Sequence, residues 1–123
     1  MPAIVQINYV WDIPEEEVEK FSTPEMAEFF WSIAGLKWKI WVRDAASKTS
    51  GGIYLFEDRA SAQAYADGPV VEKIRQLPQS SNHSVRVFDI RENVTAVTGG
   101  PLEVVMERGT VSPELMASFL QRA

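Results

Sequence analysis

Cysteine is absent from the 123 residues, which removes disulfides, thiolate metal sites, iron–sulfur clusters and a cysteine nucleophile at once. Histidine occurs once, at His83, and a lone imidazole with no second ligand at metal spacing argues against a zinc site. No stretch approaches the ~20 apolar residues that cross a bilayer, and Met1-Pro2-Ala3-Ile4-Val5-Gln6 lacks the basic-then-apolar pattern of an export signal. A cytoplasmic protein with no membrane partner is expected. Basic charge is also short: 12 Lys and Arg against 17 Asp and Glu leave a net charge of -5, and the cations are scattered, so no nucleic-acid partner is expected. Gly51-Gly52 leads into an apolar run instead of opening a helix, the reverse of a phosphate-binding loop.

What is present is ordinary globular material, 46% apolar and 24% charged, in a length suited to one domain. Ala3 to Trp11 alternate, with Val5, Ile7 and Tyr9 on one face and Gln6 and Asn8 on the other, the period of a half-buried strand. Asp12-Ile13-Pro14-Glu15-Glu16-Glu17 starts a helix, with acids where the helix dipole favours them. Ser22-Thr23-Pro24-Glu25 interrupts it and caps a second segment, through Met26, Phe29, Phe30 and Ile33 to Gly35. Leu36 to Asp44 reads as a second strand and Ile53-Tyr54-Leu55-Phe56, after Gly51-Gly52, as a third. Asp58 caps a helix through Ala62, Tyr65 and Ala66, which Gly68-Pro69 breaks before a restart through Val70, Val71, Ile74 and Leu77. Ser84 to Arg91 reads as a fourth strand, and the preceding Gln79-Ser80-Ser81-Asn82 as a polar loop that leaves His83 solvated.

Strand, helix, strand, strand, helix, strand is the order of the α+β ferredoxin-like βαββαβ fold, whose helices lie on one face of the sheet. Its other face carries large side chains here. If Ile53 and Leu55 meet the helices, Tyr54 and Phe56 point to the open face with Phe88 and Ile90. The second strand adds either Trp41 with Lys39 and Arg43, or Trp38 with Ile40, according to register. A second copy of the chain is the economical cover, so a homodimer is expected. The domain is expected over residues 1–98. Residues 99–123 then form a dimer-supporting extension, with an added strand or arm over Leu102 to Met106 and a helix from Ser112-Pro113-Glu114 through Leu115, Met116, Phe119 and Leu120.

Three segments carry a family resemblance: Trp38-Lys39-Ile40-Trp41; Gly51-Gly52-Ile53-Tyr54-Leu55-Phe56 with Asp58, Ser61-Ala62 and Ala64-Tyr65; and Val87-Phe88-Asp89. Together they resemble the YdhR-type family of proposed monooxygenases, over about the first three-quarters of the chain. The resemblance implies a dimeric α/β barrel of two ferredoxin-like units with their open faces together. It also implies kinship in fold with quinol-type monooxygenases that use no cofactor and with heme-degrading monooxygenases. Two departures stand out: a longer C-terminal extension, and Asn8 where a histidine is also found.

An oxygenase without flavin or metal makes the substrate its reductant, so the protein must bind an aromatic or enolisable small molecule, favour its anion and exclude water. Asn8, Trp38, Trp41 and Tyr54 are the candidate catalytic residues. Gln6, Lys39, Arg43, Phe56, Arg86 and Phe88 are the candidate substrate contacts, in a pocket between the sheet and a dimer partner, on an aromatic or polyketide-like compound with no bound cofactor or metal. Asn8 would orient a carbonyl or oxyanion, and Lys39 or Arg43 would stabilise an anion. Against this stand plainer readings: aromatic groups that fill a core or interface, and edge-strand cations that discourage sheet-to-sheet association. A cyclase or isomerase on the same barrel, and a non-catalytic ligand-binding dimer, are the competing functions.

Overall fold

The computed structural model describes residues 1–102. In chain order the elements are β1 (Ala3–Trp11), α1 (Glu15–Phe21), α2 (Pro24–Trp31), β2 (Leu36–Asp44), β3 (Thr49–Phe56), α3 (Arg59–Ala66), α4 (Pro69–Arg75), β4 (Ser80–Asp89) and α5 (Glu92–Val97). The four strands form one antiparallel sheet in the order β2-β3-β1-β4, the ferredoxin-like arrangement expected from the order of elements. Met1–Asp89 is one compact unit, and α5 belongs to a second that begins at Ile90. The strand and helix expected after Leu102 lie outside the described residues.

Local chemistry places the breaks. Thr23 accepts a hydrogen bond on its hydroxyl from the Met26 amide at 3.2 Å, and Asp58 accepts one from the Ser61 amide at 2.7 Å. Each satisfies an amide that has no partner within its own helix. Pro24 and Pro69 both stand in the first turn, where the missing N–H costs nothing. Gly35 takes φ +80°, and a Cβ there would lie 2.5 Å from Ser61 Oγ. Gly35→Ala therefore combines left-handed backbone strain with a clash against α3, and should lower unfolding free energy by about 2–3 kcal/mol in urea titration.

Register decides the faces. Val5 pairs with Tyr54 and with Val87, Ala3 with Phe56, and Ile7 with Gly52 and Val85. Directly paired residues share a face, so Tyr54 and Phe56 lie with Ala3, Val5 and Ile7 against Phe30, Ala62, Tyr65 and Val71 of the helices. This overturns the expectation that Tyr54 and Phe56 face away from the helices: it is Ile53 and Leu55 that do. The reason is physical. The β3 run is apolar at consecutive positions, so its own sequence carries no alternation, and only pairing with β1 tells its two sides apart.

The start of β4 is also corrected. The strand begins at Ser80, not Ser84, and pairs with Val10 and Trp11 of β1 across an irregularity between Asn8 and Val10. Asn82 takes φ +54° there, the kind of local disruption that a bulge produces. His83 is consequently not a solvated loop side chain. Its ring stacks on Tyr9 at 5.4 Å, and its Nε2 is buried with no hydrogen-bond partner among the described residues.

Candidate functional site

The sheet face toward the helices is not filled to its edge. Between β1, β2 and β3 on one side and α1, α2 and α4 on the other lies a cavity of about 500 Å³, within the size range of small-molecule sites. Its walls are predominantly apolar, with Ile7, Met26, Phe30, Trp41, Tyr54 and Ile74 among them. Three aromatic lining residues, Phe21, Phe29 and Trp41, are 44%, 49% and 45% exposed, which places them toward the mouth.

Among the described residues, four charged side chains line this space. Glu19 and Lys73 are exposed. Arg43 is fully occupied: Nε and Nη2 donate to the Glu15 carboxylate at 2.7–3.2 Å, Nη1 donates to the Trp11 and Lys48 carbonyls and to Ser50 Oγ, and Nη2 also donates to the Ile13 carbonyl. A guanidinium has five N–H donors, and none remains for a ligand. Arg43 ties β2 to the end of β1, to the β2–β3 turn and to the start of α1.

Lys39 is the opposite case. β2 puts it opposite Tyr54 on β3, with Nζ 3.3 Å from the Trp41 ring centroid, 3.4 Å from that of Phe30 and 4.8 Å from that of Tyr54. Among the described residues it has no carboxylate partner. Burial without a counter-charge pushes its amine down to about 7, because desolvation penalises the ammonium. The rings return part of that loss through cation–π attraction. The same burial raises the Tyr54 phenol and pushes that of Tyr65 up to about 12, so both hydroxyls stay protonated at neutral pH. Tyr65 Oη has no hydrogen-bond partner among the described residues. Gly52 keeps the floor open: a Cβ there would stand 2.9 Å from Tyr54 Cε1 and 3.0 Å from Lys39 Cε.

The ten candidate residues are thereby divided between two faces. Lys39, Trp41, Arg43, Tyr54 and Phe56 lie on the helix side, and the cavity brings Lys39, Trp41 and Tyr54 together. Phe56 stands behind Tyr54 in the core, their rings stacked at 6.4 Å. Gln6, Asn8, Trp38, Arg86 and Phe88 lie on the opposite face, by their pairing with Ile53, Gly51, Leu55, Gln6 and Ile4 respectively. There Gln6 Nε2 donates to Asn8 Oδ1 at 3.2 Å, and the Arg86 guanidinium lies 5.4 Å from the Phe88 ring centroid. The expected site is thus two separate groups of side chains. In the sequence Phe30 and Met26 mark only a helix's apolar side; the wide apolar arc of α2, with adjacent Phe29 and Phe30, is the available signal that α2 serves more than a core seam.

Comparison with known proteins bears on the chain as a whole. The family described as "Putative mono-oxygenase ydhR" matches residues 4–101. Among solved structures, SnoaB, a cofactor-independent oxygenase from Streptomyces nogalater, superposes with a TM-score of 0.56 at 15% identity, covering 76% of this chain and 96% of that one. The heme-degrader MhuD of Mycobacterium tuberculosis, solved with two hemes bound in its active site, gives 0.51 at 18% identity over 73% and 97%. At these identities the superpositions establish a shared fold. No curated protein matches the sequence.

Proposed function

The chain belongs to the ydhR family, and from that premise we propose that it is an oxygenase acting on an aromatic or polyketide-like small molecule bound between the sheet and the helices. One observation carries this reading: an aromatic-walled cavity of about 500 Å³ with Lys39, a half-buried cation that makes no ion pair among the described residues, on its wall. A flat hydroxylated ring fits between such walls. Its oxyanion would supply the negative charge that Lys39 lacks, and Trp41 and Tyr54 would hold the ring in place.

Burial of that anion beside an ammonium favours the electron-rich form that reacts with oxygen. Conversion of a ring CH₂ to C=O takes up one O₂ and releases one H₂O, with the substrate as sole reductant. Oxygen-electrode assays with quinols and hydroxynaphthalenes should show uptake that depends on the protein. Turnover that persists unchanged under strict anaerobiosis would instead identify a cyclase or isomerase.

The second sheet face belongs to the same proposal as the surface on which two copies meet. Ile40 and Phe88 are 49% and 41% exposed there, and a symmetric dimer is the commonest way to cover such a face. Sedimentation equilibrium should give a dimer at micromolar concentration, and Ile40→Glu should shift it toward monomer. A wild-type protein that stays monomeric would refute this part.

A further inference from the structure

We propose that Lys39 is also a carbonyl-capturing amine, which condenses reversibly with an aldehyde or unhindered ketone carried on an aromatic body inside the cavity. The inference rests on the geometry of the cavity and is separate from the oxygenase reading. Three observations combine. The amine lines a space large enough for a two-ring compound. The Phe30, Trp41 and Tyr54 ring centroids lie within 5 Å of its Nζ, and it makes no ion pair among the described residues. The remaining charged lining groups do not compete, since Arg43 is spent on Glu15 and backbone carbonyls while Glu19 and Lys73 are exposed.

A lysine in such surroundings is partly unprotonated at neutral pH, and the unprotonated amine is the nucleophile. An ordinary exposed lysine is neutral in only about one molecule in a thousand near pH 7.5. The step balances without an added oxidant or reductant: Nζ adds to the carbonyl carbon, two N–H protons leave with the carbonyl oxygen as one water, and a C=N bond remains. The apolar walls hold the aromatic body and limit the water that would reverse the condensation.

The test is reductive trapping on the full chain with 2-naphthaldehyde and sodium cyanoborohydride at pH 7.5, read by intact mass and peptide mapping. One adduct should form on Lys39 at least about tenfold faster than on Lys20, Lys37, Lys48 or Lys73, and Lys39→Arg should lose it. In the wild-type protein, excess naphthalene should slow labelling of Lys39 while leaving the surface lysines unchanged, a control that needs no variant. Labelling spread over the surface lysines at comparable rates, or indifference of Lys39 to naphthalene, would overturn the proposal. Oxygen uptake with hydroxynaphthalenes is measured independently, so loss of either result leaves the other readable.

Discussion

Lys39→Met is expected to raise the thermal midpoint by several degrees at pH 7 while removing turnover of hydroxylated aromatics. The two effects have one cause. Burial holds the Lys39 amine near 7, against 10.5 for an unburied lysine. Below about pH 7 the folded protein must keep an ammonium in an apolar wall, and the penalty is then full. Between pH 7 and 10.5 the unfolded chain binds more protons at this residue than the folded one, so stability rises with pH across that window. Taken at face value the displacement would be worth about 4–5 kcal/mol. Partial exposure and the cation–π contacts reduce it, and about 1–2 kcal/mol is the expected gain for an apolar side chain of similar length. Calorimetry at pH 6, 8 and 10 checks the sign: the advantage of Lys39→Met should be largest at pH 6 and small at pH 10. Such a stability cost is the trade-off that a functional site carries, and a variant no more stable than wild type at pH 6 would show that Lys39 carries none.

Arg43→Ala is expected to do the reverse, lowering stability sharply without altering ligand affinity in the protein that remains folded. Its side chain is 14% exposed and donates to a carboxylate, three carbonyls and a hydroxyl. Charge-assisted hydrogen bonds contribute roughly 1.5–3 kcal/mol each, but several of these acceptors have a second donor: the Trp11 amide reaches the Lys48 carbonyl, the Ile13 amide the Trp11 carbonyl, and Lys48 Nζ the Ile13 carbonyl. The loss should therefore be about 2–3 kcal/mol in urea unfolding rather than the full sum. Arg43→Lys should recover less than half of it, because one ammonium cannot reach Glu15 on one side and Ser50 on the other. An unchanged midpoint combined with weakened ligand binding would return Arg43 to the substrate contacts.

The architecture was legible because its signals are local. Alternation in Ala3–Trp11, the caps at Thr23 and Asp58, the left-handed Gly35 and the prolines at Pro24 and Pro69 each fix a boundary within a few residues of themselves. The faces of β3 were not legible, since Ile53, Tyr54, Leu55 and Phe56 are all large and apolar, and which pair meets the helices follows only from pairing with β1. That one ambiguity displaced half of the candidate site. Lys39, Trp41 and Tyr54 line an aromatic cavity beside Phe30 on the helix side of the sheet, whereas β3 alone suggests the open face for Tyr54 and β2 alone leaves the side of Lys39 and Trp41 undecided. His83 was misplaced for a similar reason: a polar segment that bulges while continuing a strand looks, residue by residue, like a loop.

Which face of the sheet receives the ligand decides the function proposed for this protein, and backbone amide shift mapping measures that directly. With 1,4-dihydroxynaphthalene added under argon, Ile7, Lys39, Gly51, Tyr54 and Ile74 should shift in proportion to occupancy, while Gln6, Arg86 and Phe88 stay in place. Shifts concentrated at Gln6, Arg86 and Phe88, with Tyr54 and Ile74 unmoved, would contradict it and put the binding site on the opposite face.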